Sequence, residues 1–157
     1  SGKHMLQHAA AYEINHLGRI LLEDCKEPLH FKYMPHAVFT EPEIASVGIT
    51  EQKAKEKNIK YITSTTNWLA SAKAMSTRLH YPVTKFLINP DNYEILGCHM
   101  IGPESSTMMH QVLAVMHINN DVRHIKEMLY IHPALSEALL PAAVAAVKEV
   151  EKYNKKS

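Results

Sequence analysis

The stretch VTKFLINPDNYEILGCHMI, residues 83–101, decides the fold. Two runs rich in apolar and β-branched residues, 83–88 and 94–101, flank Asn89-Pro90-Asp91-Asn92. Asparagine, proline and aspartate favour tight turns, each through its own backbone or side-chain preference. A turn of this kind between two such runs is typical of a β-hairpin. The stretch therefore predicts an antiparallel pair of strands.

The elements on either side of this hairpin complete an α+β pattern. Further strands are predicted at 36–40, 45–49 and 59–67, and helices at 6–24, 50–58, 105–119, 121–128 and 136–153. Residues 68–79 have no clean period and predict a loop with a helical turn, with Trp68 at an edge or an interface. Strands in a run followed by helices indicate an antiparallel sheet with helices packed on one face.

Three helix starts carry recognisable signals. Thr50 and Asp121 are expected to cap the helices that follow them, and Ser105 or Ser106 is expected to cap the helix at 105–119. Pro141 would remove a hydrogen bond from a helix that began at residue 136. That helix is therefore expected either to kink at the proline or to begin later.

Length and composition exclude several classes of function. The 157 residues suffice for one domain with a real core, and the 46% hydrophobic and 21% charged shares are those of a soluble globular protein. Lysine and arginine number 17 against 16 acidic residues, so neither a nucleic acid nor a membrane surface is expected as a partner. No apolar run approaches the length of a membrane span.

The cysteines and glycines exclude a complete redox or nucleotide site. Cys25 and Cys98 are far apart in the sequence and form no closely spaced pair, so two reduced thiols are expected. The five glycines form no Gly-x-Gly-x-x-Gly loop. Eleven histidines are present, but His110 and His117 lack an acidic or cysteine partner at ligand spacing, so no metal site is expected.

The segment YIHPALSE, residues 130–137, carries the main candidate for chemistry. His132 suits proton transfer near neutral pH, and Glu137 lies five residues later, where it could orient the imidazole and raise its basicity. Pro133 restricts the backbone between them. From spacing alone two interpretations stay open: an acid/base pair, or a turn histidine followed by an acidic residue that favours a helix start.

Three segments together resemble one family. Residues 130–137 resemble the His-Pro-x-x-Ser-Glu signature near the C-terminus of the FAD-dependent pyridine nucleotide-disulfide oxidoreductases, which include dihydrolipoamide, glutathione and mycothione reductases. Residues 34–50 (MPHAVFTEPEIASVGIT) resemble the opening of the dimerisation domain of that family, and residues 97–104 (GCHMIGPE) resemble a strand and turn in its middle. The segments follow the family's order.

The resemblance implies a domain organisation. Residues 34–153 would be the α+β dimerisation domain, 1–33 the end of a FAD-binding segment with its helix and linker, and 154–157 a tail. Leu6, Gln7 and His8 could touch FAD in the whole enzyme. The chain would be the C-terminal part of a longer cytoplasmic flavoenzyme. It would lack the FAD and NAD(P) domains and the redox disulfide, and it would be inactive and free of bound cofactor by itself.

The resemblance also implies roles for the residues of the signature. The family forms homodimers in which the C-terminal domain of one subunit completes the active site of the other. His132 would be the general acid/base, Glu137 its orienting carboxylate, and Pro133 a backbone constraint that can act through a cis peptide. The main chain around His132 and Pro133 would border the flavin.

The disulfide substrate is less sharply defined. Mercuric reductases commonly carry tyrosine at the histidine position and a cysteine pair at the C-terminus, whereas this chain has His132 and no cysteine in 151–157. Leu135 beside Ser136-Glu137 favours dihydrolipoamide dehydrogenase or mycothione reductase. The interpretation adopted is a dihydrolipoamide dehydrogenase-like enzyme. The alternatives are a mycothione, glutathione or mercuric reductase-like flavoenzyme, or a stand-alone dimerisation module without catalysis.

Overall fold

A computed structural model describes residue 2 and residues 4–156, which divide into two compact units after Met34. The first unit holds helix α1 (Gln7–Glu23), which ends at Asp24 in the left-handed conformation (φ 54°). The chain then returns along the helix, because the ring of Phe31 packs 5.6 Å from the ring of Tyr12. The expected tail, 154–157, reaches Ser157, which lies outside the described residues, as do residues 1 and 3 of the expected first segment.

The second unit is built on a five-stranded sheet in which every neighbouring pair is antiparallel. Its spatial order is β1-β2-β5-β4-β3. The strands are β1 (His36–Val38), β2 (Ile44–Gly48), β3 (Ile62–Asn67), β4 (Val83–Ile88) and β5 (Ile95–Ile101). The hairpin predicted at 83–101 forms β4 and β5 at the centre of the sheet.

One face of the sheet forms the core. Val47, Cys98 and Phe86 lie opposite one another on β2, β5 and β4, and all three are fully buried. Helix α6 (Leu139–Asn154) packs on β3 and β4, and helix α4 (Ser105–Ile118) packs on β2 and β5. The predicted α+β class with an antiparallel sheet is confirmed.

Helix α2 (Glu51–Glu56) departs from the simple one-face picture. Lys85 precedes Phe86 on β4, so its side chain points to the opposite face of the sheet. Glu51 forms an ion pair with Lys85 on that face. The main layer of helices covers the core face, and α2 contacts the other one.

Two of the three predicted helix caps are confirmed. Thr50 accepts a hydrogen bond from the Lys53 N–H at 3.3 Å and begins α2. Asp121 accepts one from the Arg123 N–H at 2.8 Å and begins α5 (Val122–Glu127). Both follow from sequence because the capping residue and its donor are neighbours.

The predicted cap of α4 is wrong. Ser105 lies inside the helix and donates its hydroxyl to the Gly102 carbonyl at 2.8 Å. The first turn is capped instead by Glu43, whose carboxylate accepts hydrogen bonds from the Ser106 N–H at 3.0 Å and the Ser106 hydroxyl at 2.8 Å. A carboxylate from a distant loop satisfies an otherwise free N–H and lies at the positive end of the helix dipole.

The last helix begins later than residue 136. Residues Leu135–Ala138 form a 3₁₀ turn, and α6 starts at Leu139, which makes Pro141 its third residue. The N–H groups of a first helical turn have no intrahelical acceptor, so a proline there removes no bond. Of the two outcomes that Pro141 allowed, the later start is the one observed.

Trp68 is in the core and not at an edge, which corrects the expectation for residues 68–79. Its side chain is 1% exposed, and its indole N–H donates to the Thr84 hydroxyl at 2.8 Å. Gly102 lies against the indole so closely that a Cβ there would come within 2.7 Å of the ring. The segment folds into a 3₁₀ turn (Trp68–Ala70) followed by α3 (Ala72–Ser76).

Candidate functional site

His132 and Glu137 form a hydrogen-bonded pair. The Nδ1 atom of His132 lies 2.7 Å from Oε1 of Glu137. Because an ionised carboxylate can only accept, the imidazole must donate its Nδ1–H to Glu137. The neutral ring then keeps its free lone pair on Nε2. This arrangement makes Nε2 the basic atom and lets the carboxylate stabilise the ring when it gains a proton.

The backbone between the two residues takes part in the contacts of the pair. The His132–Pro133 peptide bond is cis, and Ala134 follows in an extended conformation. The Ala134 N–H donates to Oε2 of Glu137 at 2.8 Å, so each oxygen of the carboxylate accepts one hydrogen bond. Glu137 is the third residue of the 3₁₀ turn, where an acidic side chain can fold back to the residue before the turn.

The electrostatics of the pair favour an ionised carboxylate. The N–H of Ala134 and then the imidazole of His132 hold the pKa of Glu137 below its usual range. The side chain of Glu137 is 18% exposed and that of His132 is 68% exposed. The carboxylate is thus held against the domain, and the imidazole projects into solvent where another molecule can reach Nε2.

The segment that leads into the pair is tied down by Tyr130. Its hydroxyl donates to the Ile125 carbonyl at 2.8 Å, and burial raises the pKa of Tyr130 to about 12. The residues on either side, Leu129 and Ile131, are fully exposed or nearly so. Sequence reasoning assigned no role to Tyr130, because a tyrosine beside a motif carries no pattern of its own.

A second residue that the sequence did not single out is Ser71. Its hydroxyl donates to the Ala134 carbonyl at 3.1 Å across 63 positions of sequence, and its side chain is buried. The sequence gives only a helix-start signal here, since Ser71 also accepts weakly from the Ala74 N–H at 3.5 Å. Nothing in the local pattern reports a contact over such a separation.

The predicted cofactor-binding residues fall in both units. Leu6 precedes α1, and Gln7 and His8 are its first two residues, all in the first unit. His132 and Pro133 belong to the second unit, and both are exposed. An exposed imidazole and the adjoining backbone can border a planar ring, whereas no glycine loop for a pyrophosphate is present in the sequence. Contact of either group of residues with a flavin stays a prediction.

The described part of the chain holds neither a metal-binding cluster nor a membrane-spanning helix. Among residue 2 and residues 4–156, no three histidine, cysteine or acidic side chains group closely enough to hold a metal ion. None of the helices in that range is long and apolar enough to cross a membrane.

A hydrogen-bonded histidine–carboxylate pair lies on an antiparallel α+β domain, and comparison with known proteins places this domain in a family. Residues 34–143 match the family described as "Pyridine nucleotide-disulphide oxidoreductase, dimerisation domain". The match covers more than half of the chain, and the chain belongs to this family. The resemblance of the three sequence segments is confirmed.

The chain is similar in sequence to proteins named dihydrolipoyl dehydrogenase. The chain is 33% identical over 144 residues to dihydrolipoyl dehydrogenase 2, chloroplastic, from Arabidopsis thaliana, covering 88% of this chain and 25% of that protein. It is 30% identical over 142 residues to dihydrolipoyl dehydrogenase from Buchnera aphidicola, covering 88% of this chain and 29% of that protein. The chain thus spans under a third of the length of these relatives.

Solved structures support the fold. The HOCl-induced flavoprotein disulfide reductase RclA from Escherichia coli superposes with a TM-score of 0.84 at 22% identity, over 91% of this chain and 33% of that one. LpdA from Mycobacterium tuberculosis superposes with a TM-score of 0.82 at 20% identity, over 92% of this chain and 31% of that one. At such identities these similarities establish the fold alone.

Proposed function

We propose that this chain supplies the His132–Glu137 acid/base pair to the active site of a flavin-dependent disulfide oxidoreductase. The observation that carries the proposal is the 2.7 Å contact between Nδ1 of His132 and the carboxylate of Glu137, with the imidazole itself 68% exposed. A histidine held by a carboxylate on one side and open on the other can exchange a proton with a bound substrate.

The proposed step is a proton transfer coupled to thiol–disulfide exchange. Nε2 of His132 takes the proton from a substrate thiol, and the resulting thiolate attacks one sulfur of a disulfide. The S–S bond breaks, a mixed disulfide forms, and the second sulfur leaves as a thiolate. In the reverse direction the imidazolium returns its proton to the departing substrate sulfur. Glu137 stabilises the imidazolium throughout, because its carboxylate faces Nδ1.

The proposed partner is a second copy of the parent protein. Membership in a dimerisation-domain family implies an oligomer. The described residues of this chain include only two cysteines, Cys98 buried in the sheet and Cys25 in the other unit, so the reacting disulfide must come from elsewhere. In the homodimer, His132 of one subunit would face the disulfide and flavin of the other.

FAD and NAD(P) are the proposed cofactors of the whole enzyme. FAD, when bound, supplies the two-electron transfer between the nicotinamide and the disulfide. From this chain, the exposed backbone at His132-Pro133 would border the flavin ring of the partner subunit, and Leu6, Gln7 and His8 would lie near a flavin from the side of the first unit. The phosphate-binding loops would belong to other domains, since this sequence has no glycine-rich loop.

The proposed substrate is a dithiol of the dihydrolipoamide type. Two observations support this choice over other disulfides. Similar proteins at 30–33% identity are named dihydrolipoyl dehydrogenases, and Leu135 precedes Ser136-Glu137 as the resemblance to that enzyme type implies.

Stopped-flow kinetics of the enzyme that carries this chain together with its flavin and nicotinamide domains tests the proposal. His132→Gln should slow the half-reaction with dihydrolipoamide by about two to four orders of magnitude, the usual size of a general-base effect. The rate of flavin reduction by the nicotinamide should be nearly unchanged, because that step needs no proton from His132.

The matched control is His110→Gln, at an exposed histidine of α4. It should leave both half-reactions as in the wild type. A dithiol step that proceeds at the wild-type rate in His132→Gln would overturn the catalytic role. Equal losses in both half-reactions would point to a structural role for His132.

A further inference from the structure

The backbone of Ala134 is hydrogen-bonded both to the His132–Glu137 pair and to a distant part of the domain. Its N–H donates to Glu137 Oε2 at 2.8 Å, and its carbonyl accepts from the Ser71 hydroxyl at 3.1 Å. We infer that Ser71 is a positioning residue, which fixes Ala134 and through it the carboxylate that orients His132. This inference deepens the proposed function and rests on it for its catalytic consequence.

Ser71 is the stronger of two donors to the Ala134 carbonyl. The other is the Glu137 N–H, which lies 3.4 Å away, at the long limit of a hydrogen bond. That second bond also belongs to the motif itself, so it cannot hold the motif against the domain. The Ser71 bond joins the motif to a segment 63 residues earlier in the chain.

Ser71 is itself held by the core. The side chain is 1% exposed, and its N–H donates to the Trp68 carbonyl at 2.9 Å. Trp68 is anchored to the sheet by its 2.8 Å bond to the Thr84 hydroxyl and by its close packing against Gly102. A continuous set of contacts therefore leads from the sheet through Trp68 and Ser71 to Ala134.

Loss of the Ser71 hydroxyl would release Ala134 at the point where the Glu137 carboxylate is held. Ala134 is extended (φ −138°, ψ 157°) and precedes the 3₁₀ turn. Its N–H and its carbonyl lie in two adjacent peptide units joined at its Cα, so a carbonyl that is no longer held lets the backbone at Ala134 rotate and carry the N–H away from Glu137. Rotation would lengthen the N–H bond to Oε2 and loosen Oε1 from His132. Small misplacements of this kind reduce catalysis without unfolding the protein.

The chain offers a matched control at Ser105. This serine is also buried and also donates its hydroxyl to a backbone carbonyl, that of Gly102, at 2.8 Å. It lies at the start of α4, and its hydroxyl bonds to Gly102 and not to a residue of the pair. Gly102 packs on the indole of Trp68, so Ser105→Ala removes a similar bond at the far end of the same set of contacts while it leaves the Ser71–Ala134 bond in place. It therefore separates the loss of that one bond from a general loss of stability.

Nuclear magnetic resonance of the 157-residue chain tests the inference directly. In the wild type, ring nitrogen shifts should show the proton of neutral His132 on Nδ1, and a carboxyl titration should give Glu137 a lowered pKa. Ser71→Ala should raise the pKa of Glu137 toward its usual range and mix the two tautomers of His132. Ser71→Thr, which keeps the hydroxyl, should restore both signals, and Ser105→Ala should leave both unchanged.

Two results would overturn the inference: wild-type signals in a folded Ser71→Ala chain, or an equal change in Ser105→Ala. If Ser71→Ala fails to fold, Ser71→Cys replaces it, because a thiol keeps nearly the same volume and is only a weak donor. In the longer enzyme, Ser71→Ala should slow the dithiol half-reaction about ten-fold, as is usual when the group that orients a ligand or base is lost. An unchanged dithiol step in His132→Gln would end the proposed chemistry, whereas the resonances of Glu137 and His132 would still decide the role of Ser71.

Discussion

Glu137 is the residue on which the candidate site depends, because each of its two oxygens has a different partner. Glu137→Gln keeps an acceptor for the Ala134 N–H but removes the charge that faces His132. We expect the dithiol half-reaction to slow by about ten- to a hundred-fold, less than in His132→Gln, since only the orienting charge is lost. Stopped-flow measurement checks this. The control variant Glu149→Gln, at an exposed ion pair with Lys152, should have no effect. A rate loss in Glu137→Gln as large as that in His132→Gln would contradict the view that Glu137 only orients the imidazole.

His99 predicts a pH dependence of stability. Its ring lies between the Ser46 hydroxyl and the Ile49 carbonyl, each 3.1 Å away, and burial lowers its pKa from the usual 6.5. The unfolded chain therefore binds a proton more readily than the folded one. The free energy of unfolding should hold above about pH 6.5 and fall as the pH drops from there toward the lower folded pKa.

Urea unfolding of the wild type and of His99→Gln between pH 7.5 and pH 5 measures this contribution, with pH values chosen to span the usual histidine pKa of about 6.5. The variant should be less stable at the upper pH and should lose less stability on acidification. Parallel pH profiles for the two proteins would show that His99 does not titrate in this range.

At the scale of an element, α4 depends on a side chain from another part of the chain. Glu43→Gln removes the charge at the positive end of the helix while leaving an acceptor for Ser106. We expect a loss of about 0.5 to 1 kcal/mol in the free energy of unfolding, typical of a charge near a helix terminus. Glu104→Gln is the matched control, because Glu104 precedes α4 without a side-chain cap bond. Urea denaturation at neutral pH compares the free energies of unfolding of the two variants. Equal losses would show that Glu43 does not stabilise α4 as its cap.

The elements that sequence predicts best are those whose signals are local. The 83–101 hairpin, the caps at Thr50 and Asp121, and the pairing of His132 with Glu137 all join residues that lie close along the chain. The Glu43 cap on Ser106 and the Ser71 bond to Ala134 each span 63 positions. Such contacts depend on how the elements pack, and neither residue shows a periodic pattern that would reveal them.

Pro141 and Trp68 show the same limit in different ways. From the position of Pro141 the sequence predicts either a kinked helix or a later helix start. The structure has a 3₁₀ turn first and the later start at Leu139. The sequence predicts Trp68 at an edge or an interface, in a segment, 68–79, that has no clean period. Trp68 is instead buried, because Gly102 has no side chain and leaves room for the indole. Gly102 lies more than thirty residues later in the chain, so no local pattern around Trp68 indicates this contact.

At the scale of the whole molecule, exposed apolar side chains predict self-association. The second unit displays large apolar residues that are 41–101% exposed: Val38, Phe39, Ile44, Ile118, Leu129 and Ile131. Water-exposed groups of this kind favour burial between copies of a chain. Sedimentation equilibrium should therefore detect dimers or larger species at tens of micromolar, an order of magnitude set by common affinities. A strict monomer at that concentration would show that association needs the rest of the enzyme.

The distribution of the candidate flavin contacts over the whole molecule predicts that the chain does not retain FAD. Its candidate contacts are Leu6, Gln7 and His8 in one unit and His132 with Pro133 in the other, without a glycine-rich phosphate loop in the sequence. We expect the purified 157-residue chain to be colourless and to lose added FAD on gel filtration. A yellow protein with a flavin absorption band would contradict this expectation.

The thiol of Cys98 is a natural probe of how often the core of the second unit opens. Its thiol is fully buried beside Val47 and Phe86 on the core face of the sheet, and burial raises its pKa, so a thiol reagent reaches it only when the packing between that face and its helices opens. Cys25, half-buried in the other unit, should be modified early. The lag between the first and second modified thiol, followed by mass spectrometry, would then report the opening rate of the native wild-type chain without any introduced label.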